Sequence, residues 1–161
     1  YLGHQPELLS ASVKDNVLLG SDGPAVPWLE AACLTEEVAA MPQGEDTAVG
    51  SGGVRLSGGQ QARLALARTL RHKRPLLILD DPFSAVDMTT EGEIMEHLRA
   101  LAGDGIILLL SHRLDRFSEL DGVLWMEQGT ILAGSHETLM GTCPAYAGLY
   151  NAQKGGDGRG E

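Results

Sequence analysis

Two short apolar runs restrict this chain more than anything else in it. "PLLILD" (75–80) and "GIILLLSH" (105–112) are unbroken and rich in Leu and Ile. They are separated by "TTEGEIMEHLRALAG", whose residues favour a helix. Runs of this length without alternation predict parallel strands buried on both faces. A strand–helix–strand order then predicts a right-handed crossover and an α/β class. The chain has 161 residues, enough for one domain with a real core.

The surrounding segments fill in the frame. Residues 1–12 read as a strand end and loop, with Pro6 as breaker. "SVKDNVLLG" begins a short helix with Ser12 as N-cap and Asp15 in its first turn. "WLEAACLTEEVAAM" (28–41) predicts one helix closed by Pro42, and the glycine-rich stretch 42–55 predicts an exposed loop. In "LSGGQQARLALARTLRH", Ala62, Leu66 and Leu70 share a helical face. "GVLWMEQGTILAGSH" (122–136) predicts two strands around a turn at Gln128–Gly129, followed by a last helix near 137–152 and a flexible tail.

Charge narrows the function. The formal net charge of −10 argues against a nucleic-acid partner, which calls for a basic face. Cys33 and Cys143 are isolated thiols without metal-ligand spacing, so reduced cysteines are expected. No apolar run approaches the 18 or so residues of a membrane span.

Three places carry chemistry. Ser57, Gly58, Gly59 and Gln60 stand where a helix begins, and free N–H groups there with the helix dipole suit an anion. Asp80 and Asp81 end the first apolar run, at the sheet edge where ligands of open α/β sheets bind. Adjacent carboxylates repel, so a cation or a reaction is expected to use them. Ser111–His112 ends the second run, and a histidine there suits donation to a phosphate.

"LSGGQQARLALAR", "LLILDDP", "SAVD" and "SHRL", in this order and spacing, resemble the nucleotide-binding domain of ATP-binding-cassette transporters. The resemblance covers residues 1 to about 150. It implies a P-loop NTPase-like (RecA-like) core portion with mainly parallel strands and an α-helical signature subdomain. Residues 1–12 would form the Q-loop region and 13–60 the helical subdomain. Residues 61–153 would form the C-terminal part of the ATPase core, and 154–161 the tail. ATP and Mg²⁺ are the implied cofactors. Ser57–Gln60 would grip the γ-phosphate of an ATP held by a partner domain, Asp80 would hold Mg²⁺ through water, and His112 would contact the γ-phosphate. Asp87 closes the "SAVD" segment that would cross the dimer interface. "TAVGSGGV" (47–54) resembles the exporter segment that meets a transmembrane domain, with Ser51 where an acid is usual.

Two residues depart from the family pattern. Its general base is a Glu directly after the magnesium acid, and this chain has Asp81. Aligned without gaps, "PELL" puts His4 where the Q-loop glutamine belongs, although a one-residue shift would restore Gln5. The phosphate loop G-x-x-x-x-G-K-[ST] does not occur in the chain, and the family places it upstream of the Q-loop.

The resemblance therefore implies an exporter half at the cytoplasmic face of the membrane. Its partners would be a transmembrane domain and a second, non-identical nucleotide-binding domain. A soluble cassette ATPase of the DNA-repair or translation kind, and a regulatory half with little hydrolysis of its own, are the alternatives.

Overall fold

The computed structural model describes residues 1–156, in two compact units, Tyr1–Ser111 and His112 onward. The first unit runs α1 (Val13–Leu18), α2 (Val26–Ala31), α3 (Thr35–Ala39), a 3₁₀ turn (Gly44–Asp46), α4 (Gly58–Arg71), β1 (Leu76–Asp80), α5 (Met88–Ala102) and β2 (Ile106–Leu110). β1 and β2 are parallel, with Leu76 opposite Ile106 and Asp80 opposite Leu110. Leu2 extends this pair on the other side of β1. Its N–H donates to the Ile78 carbonyl (2.8 Å), and its carbonyl accepts from Asp80 N–H (2.9 Å).

The helices form where local chemistry asks for them. Ser12 caps α1 by accepting from Asp15 N–H, as its place before an apolar-periodic stretch predicts. α4 packs against α1 and α2 through Leu64, Ala65, Leu66, Ala67 and Leu70, all buried. That stripe is wider than the predicted face, with Ala62 at its half-buried margin.

Three expectations change in the first unit. Residues 28–41 form two helices, α2 and α3, because the chain turns at Cys33, whose φ is +50°. Leu34 N–H reaches back to the Leu29 carbonyl and Cys33 N–H to the Glu30 carbonyl, both at 2.9 Å. This is the Schellman pattern, with cysteine where glycine is usual. The turn lets Leu29 and Leu34 both bury.

The stretch 42–55 is not uniformly exposed. Thr47 and Val49 are buried, since Thr47 and Ala48 pair with Ser12 and Val13 and so satisfy their backbones. The strands, finally, bury one face only. Leu77 and Leu79 are buried, while Leu76, Ile106, Leu108 and Leu110 are exposed, Ile106 at 66%.

The second unit carries the predicted hairpin, β3 (Val123–Glu127) and β4 (Thr130–Gly134), antiparallel. Gln128 (φ +47°) and Gly129 (φ +80°) both take the left-handed backbone that a two-residue hairpin turn requires. Two helices follow instead of one, α6 (His136–Thr142) and α7 (Pro144–Gly156). Pro144 cannot continue a helix but suits the start of the next. α7 takes in residues 154–156 of the expected tail, and 157–161 lie outside the described residues. The core of this unit gathers Leu114, Val123, Leu139, Cys143, Tyr146 and Tyr150. Tyr146 is tied to His136 Nδ1 at 2.7 Å. Both cysteines are free thiols. No helix is long and apolar enough to cross a membrane among the described residues.

Candidate functional site

β1 delivers Asp80 to its C-terminal end, and the chain turns sharply at the next residue. Asp81 has φ +50°, a left-handed backbone that short polar side chains such as Asp tolerate best after glycine. Its N–H donates to the Leu110 carbonyl (2.8 Å), which pins the turn to β2. The neighbouring carboxylates are thereby given different surroundings. Tyr1 Oη donates to Asp80 Oδ2 at 3.0 Å, and the negative acceptor raises the Tyr1 pKa. Asp81 is only 8% exposed, and its Oδ2 lies 3.5 Å from His4 Nδ1.

The register explains why His4 is the residue that arrives. Leu2 pairs beside β1, so two residues later the chain passes the strand's end at the level of Asp81. Gln5 is exposed and is not the residue placed against Asp81.

Ser57 and Gln60 form a capping box at the start of α4. Ser57 Oγ accepts from Gln60 N–H (3.2 Å), and Gln60 Oε1 accepts from Ser57 N–H (2.9 Å). The Ser57 oxygen is used as an acceptor, which leaves its proton to donate. Helix geometry leaves the Gly58 and Gly59 amides without an intrahelical acceptor. The turn thus presents several donors to an anion.

The two glycines have different neighbours. A Cβ on Gly59 would stand 2.5 Å from the Ala85 carbonyl oxygen, whereas on Gly58 the nearest atom, Ala85 Cβ, would be 3.7 Å away. Gly59 is therefore required by contact with the segment that follows Asp81, independently of any ligand. Replacing a helical glycine by alanine gains up to about 1 kcal/mol of helix propensity. Gly58→Ala is expected to hold or raise the thermal midpoint, while Gly59→Ala lowers it by several degrees. Thermal denaturation of both variants beside the parent checks this, and equal midpoints would contradict the Ala85 contact.

Asp87 serves as N-cap of α5, its Oδ1 accepting from Thr89 N–H (3.1 Å) and Thr90 N–H (3.0 Å). The bond from Thr90 leads in holding its pKa below the usual carboxylate range. His112 opens the second unit, where its carbonyl accepts from Gln153 Nε2 at 2.7 Å. The structure thus brings Asp80, Asp81, His4 and the 57–60 turn into one unit with Ala85 and Asp87, and places His112 in the other.

Sequence reasoning missed three participants. Tyr1 reaches Asp80 from 79 residues away. Arg63, mostly buried, donates to the Cys33 carbonyl and pairs with Glu37 Oε2 at 2.6 Å, tying α4 to the α2–α3 turn. Asn16 is fully buried within α1. Asn16 lies directly before the apolar Val17–Leu18 of α1, which was the available signal for it.

Among the described residues no group of three or more His, Cys, Asp or Glu side chains could hold a metal. Asp80 alone therefore fits an ion that brings most of its ligands with it. Mg²⁺ does so, keeping water and taking one or two carboxylates beside substrate phosphates.

Comparison with known proteins shows the family. The family described as "ABC transporter" matches residues 1–84. A protein of Staphylococcus aureus (strain bovine RF122 / ET3-1), named for multidrug export as an ATP-binding/permease protein, is 39% identical over 151 residues. That match covers 91% of this chain and 26% of the relative, and a protein of the same description from strain NCTC 8325 / PS 47 matches to the same extent. The chain thus spans about a quarter of the length of the curated relatives it matches. Among solved structures, a bacterial Atm1-family ABC exporter with ATP bound superimposes with a TM-score of 0.85 at 32% identity, over 94% of this chain and 27% of that one.

Proposed function

The chain belongs to the ABC transporter family and has its P-loop NTPase fold, and from that premise we propose that it is the Q-loop-to-C-terminus portion of an exporter's nucleotide-binding domain. One observation carries the reading. The carboxylates ending β1 and the donor-rich turn before α4 are packed into one unit, joined where Ala85 meets Gly59.

Each residue then has a task. Ser57, through its hydroxyl proton, and the Gly58 and Gly59 amides cap the γ-phosphate of an ATP held by a second cassette, with Gln60 fixing the turn. Asp80, whose carboxylate now accepts from Tyr1, would hold Mg²⁺, which would neutralise phosphate charge. Bound MgATP supplies the phosphoanhydride to be cleaved. Asp81 takes a proton from the attacking water, and His4 lies beside it at the Q-loop position. His112 donates to the γ-phosphate. Asp87 rigidifies the start of α5 behind the segment that crosses to the partner. Asp81 is one methylene shorter than the family's Glu, which withdraws the carboxylate by roughly 1 Å, and a misplacement of that size can cost on the order of 100-fold. The site bearing Asp81 is therefore the weak one, and the partner cassette is non-identical and supplies a stronger site.

A transmembrane domain is the second partner. A groove of about 400 Å³ between Pro6–Leu8 and Gly50, Val54 and Arg55 borders the loop expected to meet it. Export across the membrane, from its cytoplasmic face, is the activity proposed for the whole protein. The contact between His4 and Asp81 also favours a second reading, a regulatory half that binds ATP and hydrolyses little of it.

The test separates the part from the whole. The 161 residues contain no G-x-x-x-x-G-K-[ST], so calorimetry on this chain alone should show no micromolar binding of MgATP. The full-length protein in lipid should bind and hydrolyse it. Micromolar binding by the 161 residues, or none by the full-length protein, would contradict the proposal.

A further inference from the structure

The loop from His4 to Leu9 joins the strand-like Leu2 to α1, and it is held at three points. At its start, His4 Nδ1 lies 3.5 Å from Asp81 Oδ2. In its middle, Arg68 Nη2 donates to the Glu7 carbonyl at 2.7 Å. At its end, Asn16 grips the Leu9 backbone on both sides. Leu9 N–H donates to Asn16 Oδ1 (2.9 Å), and Asn16 Nδ2 donates to the Leu9 carbonyl (3.1 Å) and the Ser12 carbonyl (2.9 Å).

Asn16 is 0% exposed, so none of these bonds has water as a ready substitute. Only a side-chain amide offers donor and acceptor together at this reach, and a carboxylate would turn acceptors toward two carbonyls. Leu9 is otherwise an exposed residue, so its place is set by its backbone. Pro6 fixes its own φ near −65°, which leaves the loop little slack between the anchors.

We propose that Asn16 is a positioning residue: by holding Leu9 it sets the far end of a strap whose near end stands on Asp81. The proposal deepens the reading of Asp81 as the base and rests on it for its kinetic consequence, but not for its structural one.

Hydrogen exchange on the full-length protein reads the structural part. Asn16→Ala should speed exchange across residues 4–11 by about tenfold or more while leaving 58–71 and 88–102 at the parent rate. Asn16→Ser, which keeps a shorter side chain able to donate and accept, should fall between and serves if the alanine variant does not fold. Unchanged exchange in 4–11, or an equal rise in all three segments, would overturn the proposal. Kinetics read the rest. Added to Asp81→Glu with His4→Gln, Asn16→Ala should cancel the gain in kcat for MgATP and leave KM in place. A retained gain would overturn the positioning role. If that double variant gains nothing by itself, the assignment of Asp81 fails, and exchange alone decides whether Asn16 anchors the strap.

Discussion

Arginine in place of Ser57 is expected to remove nearly all MgATP turnover from the full-length protein, whereas asparagine in place of Asp81 leaves most of it. The asymmetry follows from where each residue acts. Under the proposed function, the 57–60 turn would cap the nucleotide of the partner's stronger site, while Asp81 would serve the weaker one. A long cation at the first position of the turn blocks the approach of a phosphate to the Gly58 and Gly59 amides, and it removes the hydroxyl donor. Losing one well-placed donor to a reacting anion costs about 100- to 1,000-fold in turnover. Ser57 is also the N-cap of α4, so a lower thermal midpoint is expected from the arginine variant as well. Ser57→Gly separates the two effects, since glycine keeps most of the cap and loses only the hydroxyl. Steady-state hydrolysis by the three variants in lipid is the measurement. Equal losses from Ser57→Arg and Asp81→Asn would contradict two unequal sites.

The second large effect is a gain. Asp81→Glu with His4→Gln should restore hydrolysis at the weak site, measured with the partner's site disabled. A general base contributes about 100- to 10,000-fold, so partial recovery stands clear of the background. Both changes are needed because His4 lies against Asp81 itself. A longer carboxylate beside an unchanged His4 still has that ring in its path. Asp81 occupies a left-handed backbone, where Glu is less at home than Asp, so a slightly lower thermal midpoint should accompany the gain. A double variant as inactive as the parent, yet still binding MgATP, would show that the short base is not what limits the site.

What could be read in advance follows from how local the physics is. Ser12, Ser57 and the Gln128–Gly129 turn declare themselves because a cap or a hairpin turn is decided within four residues. The Cys33 turn does not, because the left-handed position that closes α2 carries cysteine rather than glycine. In "LLILD" and "IILLL" every residue but the last Asp is apolar, so sequence alone cannot show that only one face is covered. The motifs single out Asp80, Asp81 and the 57–60 turn by residue type and spacing, whereas Tyr1 on Asp80 and Asn16 on Leu9 depend on pairings set by the fold. The choice between His4 and Gln5 was open for the same reason. Leu2 pairing beside β1 fixes how far the chain has travelled when it passes Asp81, and His4 is the residue that lies there.

In the proposed function, this chain caps a nucleotide that it does not itself cradle. The most direct test is a structure of the full-length protein with MgATP in a hydrolysis-arrested state. The account predicts a γ-phosphate within hydrogen-bond distance of Ser57 Oγ and the Gly58 and Gly59 amides, with the rest of that nucleotide bound by the partner cassette. A nucleotide bound while residues 57–60 touch no phosphate would contradict it.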